Sequence, residues 1–211
     1  MKRLLTAILF IILCIGLGAC HRSENDNEYA GVPNPIATIT MSDGSIMRFE
    51  LDLQNAPNTV ANFTSLSNIG FYDGLEFFRI KPNALIQSGC PNNNGTGTAG
   101  YTIRGEFSKN GFPNTLSHVR GTISMARKTG DENYDTASSQ FFILARNCPE
   151  YDGSYAAFGI AMDEETLSTI KAINNRPVDA DNVPMVRQII KTIRVDTHGY
   201  ELKLTTLNTA K

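Results

Sequence analysis

From Ile36 the chain alternates between apolar and polar positions: Ile36, Thr38 and Thr40 fall on one side, Ala37, Ile39 and Met41 on the other. A period of two is what a half-buried strand requires. Asp43-Gly44 interrupts the run, after which Ile46, Arg48 and Glu50 alternate with Met47, Phe49 and Leu51. A D-G pair between two such runs predicts a hairpin. Ala56-Pro57-Asn58 then changes the period. Val60, Phe63 and Leu66 recur at threes, Ile69 closes the stripe and Gly70 stops it, so a helix is predicted. Pro57 near its first position sacrifices no hydrogen bond there. Beyond Gly70 come apolar segments of strand length, Leu75–Ile80, Ala84–Ser88, Gly121–Ala126, Gln140–Ala145 and Ala156–Met162. Leu167, Ile170 and Ile173 give helical spacing to Glu164–Ile173, and Val186–Val195 reads as a last strand. Many short strands with two helices predict an antiparallel barrel or sandwich rather than βαβ units. No internal repeat is visible.

The segment before Ile36 reads differently. Lys2 and Arg3 precede a run from Leu4 to Leu17 that is apolar apart from Thr6 and Gly16. It falls short of the about 20 residues a spanning helix needs and fits the core of a signal peptide. The run ends in Leu17-Gly18-Ala19-Cys20, which resembles the bacterial lipoprotein processing signal. That resemblance implies removal of residues 1–19 and acylation of Cys20, with the protein held by lipid on the extracytoplasmic face of a cell membrane. An ordinary secretory signal with an incidental cysteine is the alternative. Residues 20–35 are polar and end in Pro and Gly, as a tether does. The domain is then expected over 36–197, with a polar tail over 198–211.

With 41% hydrophobic and 19% charged residues, a folded globular domain is the default. The net charge of −2 becomes more negative once Lys2 and Arg3 leave with the signal. Such a surface has no field to gather phosphate backbones, which argues against nucleic acid as a partner.

Several motifs follow one another in a telling order. Asn62-Phe63-x-x-Leu66 leads to Gly70-Phe71-Tyr72-Asp73-Gly74-x-x-Phe77-Phe78-Arg79-Ile80. Next come Gln87-x-Gly89, Gly95-Thr96-Gly97, Gly105-Glu106-Phe107, Gly121-x-x-Ser124-Met125-Ala126, Ser139-Gln140-Phe141-Phe142-Ile143 and Asp152-Gly153-x-x-x-x-Phe158-Gly159. In order and spacing this series resembles the cyclophilin family of peptidyl-prolyl cis-trans isomerases over residues 36–196. The resemblance implies a closed eight-stranded antiparallel β-barrel capped by two α-helices, with a substrate groove on one outer face. It also implies an enzyme that assists the folding of exported proteins, acts on proline-containing segments of unfolded chains as a monomer, and uses no cofactor.

The reaction is a rotation against a barrier of about 18–20 kcal/mol. It needs a pocket for the proline ring and a donor that favours the twisted, amine-like nitrogen more than either planar amide. By the resemblance, Arg79 is that donor and Gln87 orients it while contacting substrate. Phe142, Leu85 and Met125 form the pocket floor, with Met125 equally readable as core, Gln140 stands on the wall, and the Ala126-Arg127 backbone pairs with the substrate main chain. The chain departs from the best-known members in three places. Ala84 replaces a second pocket Phe, Glu150 falls where they carry Trp, and Tyr155, with Tyr151 nearby, falls where they carry His. Less aromatic surface would then grip the proline, and a peptide-binding chaperone with little turnover is the competing reading. Arg79 and Gln87, both present, favour the enzyme.

Other signals carry less. Gly95-Thr-Gly97-Thr-Ala-Gly100 matches GxGxxG with no βαβ unit around it, so it is read as a loop. His21, His118 and His198 are isolated, without metal-ligand spacing. Cys90 and Cys148 either pair or remain free, and spacing does not decide between the two.

Overall fold

The computed structural model describes residues 29–207. The signal, Cys20 and the first part of the tether lie outside the described residues.

Eight strands, all paired antiparallel, run in the order β3-β4-β6-β5-β7-β2-β1-β8. The β1 (Ile36–Met41) and β2 (Ile46–Leu51) hairpin has the expected turn, where Asp43 accepts hydrogen bonds from the Ser45 N–H and hydroxyl at 2.9 and 2.7 Å. Ile39 faces Met47 and Ala37 faces Phe49, and all four are fully buried. Helix α1 spans Pro57–Asn68, with Pro57 in its first turn. Its first free N–H groups, at Asn58 and Thr59, are taken by the buried Glu106 carboxylate at 3.0 and 2.7 Å. A carboxylate at a helix N-terminus meets both the orphan donors and the dipole. Helix α2, Glu164–Asn174, is capped by Asp163, which accepts from the Thr166 N–H at 2.7 Å. Strands β3 (Arg79–Lys81), β4 (Leu85–Ser88), β5 (Thr122–Met125), β6 (Phe141–Leu144), β7 (Ala157–Ala161) and β8 (Ile190–Asp196) complete the sheet.

The expectation of a closed barrel is corrected. The ladder runs from β3 to β8 and leaves these two as its ends, so the barrel is open. The gap is stitched by the segment before β3: a Glu76–Ile189 bridge, Phe77 N–H to Gln188 O at 2.9 Å and Ile190 N–H to Leu75 O at 2.8 Å. The stretch feeding β8 contains Pro177 and Pro184. Proline donates nothing to a ladder. The strand expected from Val186 begins at Ile190, because Met185 gives its N–H to Pro177 O inside this loop, and Met185 and Val186 stand 73% and 63% exposed.

The interior is filled by rings. Phe63 packs on Tyr72, Phe141 and Phe158 at centroid distances of 5.2–5.3 Å, and Phe77 meets Phe141 edge-on. Met125, read either as pocket floor or as core, belongs to this core and is 1% exposed. Its neighbours in β5 alternate, and its side of the strand faces inward.

Of the stretch read as a tether, residues 29–35 lie on the domain. Tyr29 is buried, Asn34 accepts from the Leu53 N–H, and Pro35 O accepts from the Leu51 N–H. The tail has a place too. Leu202 and Leu204 pack on the core, Thr205 and Asn58 exchange two hydrogen bonds, and the Lys203 N–H donates to the Tyr29 hydroxyl at 2.9 Å.

Candidate active site

Strand register builds the site. Arg79 of β3 lies opposite Gln87 of β4, and Gln87 lies opposite Phe142 of β6. Directly paired residues share a face. Leu85, two residues before Gln87, falls on that face as well. Ala126 and Arg127 continue from the end of β5, Gln140 immediately precedes β6, and Tyr151 and Tyr155 come from the turn before β7. All nine residues line one groove of about 480 Å³.

One wall is a relay of amides. The Arg79 guanidinium donates to Gln87 Oε1 at 3.1 Å, and Gln87 Nε2 donates to Gln140 Oε1 at 3.1 Å. Gln140 Nε2 in turn donates to the Gly95 and Gly97 carbonyls at 2.9 and 3.0 Å. The glycine loop that resembled a dinucleotide motif is therefore the anchor of this relay. It is itself folded around Cys90, whose Sγ accepts the Gly97 N–H at 3.2 Å. Burial works to raise the Cys90 thiol's pKa, yet the N–H groups of Asn94, Gly97, Asn92 and Gly95 outweigh it and leave the value lowered. At Gly89, φ is +86°, and a Cβ would strike the Ser139 carbonyl. Only glycine lets β4 pass that close to the residue before Gln140.

The floor and the other wall are apolar. Leu85 and Phe142 are buried, with Leu144 and Cys148 behind them. Phe142, Tyr151 and Tyr155 form a triangle with centroids 5.3–5.7 Å apart, each pair near edge-to-face. That is a favoured geometry for aromatic pairs. Ala84, in contrast, is buried away from the groove lining. Among the described residues the Arg127 N–H has no hydrogen-bond partner, whereas the Ala126 N–H is already given to Gln140 O. Cys90 and Cys148 are both free and buried.

Sequence reasoning set His118 aside, and the structure places it behind the floor. It is 1% exposed and lies parallel to Phe142 at 6.2 Å. Its Nδ1 meets Asp152 Oδ1 at 2.9 Å and its Nε2 meets Ser124 Oγ at 3.0 Å. These partners are 34 and 6 positions away, so no local spacing could have announced them. Burial lowers the His118 pKa from 6.5, against the pull of Asp152 and Glu150. A base whose folded pKa is depressed takes up its proton preferentially on unfolding. Its stabilising contribution is complete above pH 6.5 and declines as the pH falls through the interval below. Thermal unfolding of the protein from pH 7.5 to 5 is therefore expected to show a loss of stability that His118→Asn abolishes. A parallel decline in the variant would assign the loss to other groups.

The order of motifs, the eight-stranded topology and this groove define a proline isomerase scaffold, and comparison with known proteins agrees. Residues 36–195 match the family model described as cyclophilin type peptidyl-prolyl cis-trans isomerase/CLD. The chain belongs to this family. It is similar to the Synechococcus elongatus peptidyl-prolyl cis-trans isomerase, 39% identical over 137 residues, covering 65% of this chain and 88% of that protein. The Bacillus subtilis peptidyl-prolyl cis-trans isomerase B is 45% identical over 119 residues, covering 56% and 78%. Among solved structures, a Cryptosporidium parvum cyclophilin type peptidyl-prolyl cis-trans isomerase superposes with a TM-score of 0.68 at 32% identity, covering 77% of this chain and 98% of that one. The same protein in the presence of the dipeptide Ala-Pro gives a TM-score of 0.66.

Proposed function

We propose that this protein is a peptidyl-prolyl cis-trans isomerase in which Arg79 is the catalytic donor, Gln87 its orienting partner, and Leu85, Phe142, Tyr151 and Tyr155 the holder of the proline ring. The observation that carries the reading is the Arg79–Gln87–Gln140 relay running beside an apolar notch. Catalysis needs no bond to be made or broken apart from hydrogen bonds. As the X-Pro bond twists, its nitrogen loses resonance and gains a lone pair. A guanidinium stays charged at any physiological pH, and the relay fixes the direction of this one. It therefore favours the twisted state over both planar states, and that difference is the rate acceleration.

Gln140 has both ends of its amide committed within the protein, so its part is to hold Gln87 rather than to receive substrate. The free Arg127 N–H offers the main-chain contact, as an unpaired edge does. Tyr151 and Tyr155 supply aromatic surface in place of the Trp this chain lacks, which favours turnover over a passive peptide-binding role. Burial pushes the Tyr151 hydroxyl up from its ordinary pKa, so at neutral pH it brings no charge to the notch. Exchange spectroscopy on an Ala-Pro peptide with catalytic amounts of the full chain tests the reading. Accelerated exchange is expected, and an unchanged rate would overturn it.

The setting is proposed from the first 20 residues. Processing before Cys20 and acylation of its side chain would hold a monomeric domain at the extracytoplasmic face, where exported chains fold. The basic start, short apolar core and small residues ahead of Cys20 support this. One acyl chain binds only marginally, so more than one is required for lasting attachment. Cys20→Ser is expected to move the protein from the membrane fraction to the soluble extracytoplasmic fraction, and continued sedimentation with membranes would refute lipid anchoring.

A further inference from the structure

Arg127 carries its charge inside a box of aromatic rings. Its guanidinium carbon lies 5.3 Å from the Phe107 centroid, 5.0 Å from that of Tyr134 and 4.9 Å from that of Tyr155. In the same box Nε donates to Ser154 O at 2.9 Å, and Nη1 donates to Lys128 O and Gly130 O at 2.9 and 3.0 Å. Phe107 and Tyr134 themselves meet edge-on at 5.2 Å. One side chain thus ties together three segments distant in sequence: the loop at 128–134, the bend at Phe107 and the turn that carries Ser154 and Tyr155.

Tyr155 is also one side of the aromatic triangle in the notch, 5.6 Å from Phe142 and 5.3 Å from Tyr151. Whatever sets the tilt of its ring sets the width of the space left for a proline. A planar cation can stack on rings and donate along fixed directions at once, and an ammonium cannot. The loop at 128–134 contributes Lys128 and Thr129 to the groove lining, so the same guanidinium holds part of the mouth.

We infer that the Arg127 guanidinium is a positioning device for substrate affinity: it fixes the Tyr155 ring and the loop at 128–134 so that the notch fits a proline-containing segment. This rests on the isomerase reading and adds a role distinct from the backbone contact of Arg127. The relay from Arg79 to Gly97 does not pass through Arg127, so its removal should weaken binding more than turnover.

The test is a double-mutant cycle on the full chain, with Arg127→Lys made in the wild type and in Tyr155→Ala. Arg127→Lys retains the charge and most of the stem, so the fold is kept, and thermal unfolding checks it. In the wild type, Arg127→Lys is expected to raise KM for an Ala-Pro peptide about fivefold, with kcat within about twofold. In Tyr155→Ala the same change should add little, because the ring it positions is gone. Equal effects in both backgrounds, or an unchanged KM, overturn the inference. A titration with the same peptide followed by NMR gives the cycle as affinities. If the wild type does not accelerate exchange, the isomerase reading falls while the affinity cycle still decides the role of Arg127. Movement of the Tyr155 ring resonances in Arg127→Lys is required in every case, and static resonances overturn the inference without any ligand.

Discussion

Arg79→Ala is expected to slow isomerisation of an Ala-Pro peptide by about a hundred- to a thousandfold, the usual loss when one preorganised donor to a developing charge is removed. Arg79 sits at the start of a three-residue strand, half-buried, and its side chain bonds to Gln87 rather than to a carboxylate. No ion pair is broken by its removal among the described residues, so thermal unfolding should shift little. The peptide's affinity should also change little, since the notch is made by Leu85, Phe142, Tyr151 and Tyr155. Exchange spectroscopy at saturating peptide measures the rate directly. A variant that keeps most of the wild-type rate would take Arg79 out of the mechanism. Arg79→Lys sharpens the test: it keeps the charge but loses the fork that Gln87 orients, and most of the activity should go with it.

The second large effect concerns stability, and it comes from the residue next to a site residue. Phe141 and Phe142 are consecutive in β6, and consecutive strand residues point to opposite faces. Phe142 faces the groove. Phe141 faces the interior, fully buried among Phe63, Tyr72 and Phe77. Phe141→Ala leaves a hole in a ring cluster whose members belong to α1, to the segment after it and to the sheet, so none can move in freely. The expected cost is about 3–5 kcal/mol, seen as a fall in Tm of roughly 10 °C or more. Phe142→Ala should instead weaken peptide binding, with a smaller change in Tm. Reversed outcomes for the two variants would show that the strand register around β6 is misassigned.

How far the sequence foretold this molecule depends on the range of the interaction. The β1–β2 hairpin and both helices were legible because alternation, a D-G turn and a stripe at threes are local properties. The groove residues were legible through the order of motifs in a known family, and they do converge on one face. What escaped was made by contacts between distant segments. His118 looked isolated because Asp152 comes 34 positions later. Arg127 gave no sign of its aromatic box, since Phe107, Tyr134 and Tyr155 lie on three separate turns. The glycine-rich loop looked incidental because its work is done by two carbonyls, which no side chain advertises. The strand expected from Val186 failed at its start because Met185 and Val186, though apolar, stand exposed and bond within the loop rather than to the sheet. Closure of the barrel was an inherited expectation, and it fails between β3 and β8, which share no ladder and are spanned only through the segment before β3.

The meeting of Tyr29 with Lys203 has a mechanical side. A pull on the leading segment reaches the domain first at a buried ring and at the tail pinned to it, alongside the bonds from Asn34 and Pro35 to the hairpin. The ladders that β1 makes with β2 and β8 bear load only after that clasp has yielded. Were the domain held by its leading segment, as proposed, this clasp would shield it from being peeled open strand by strand.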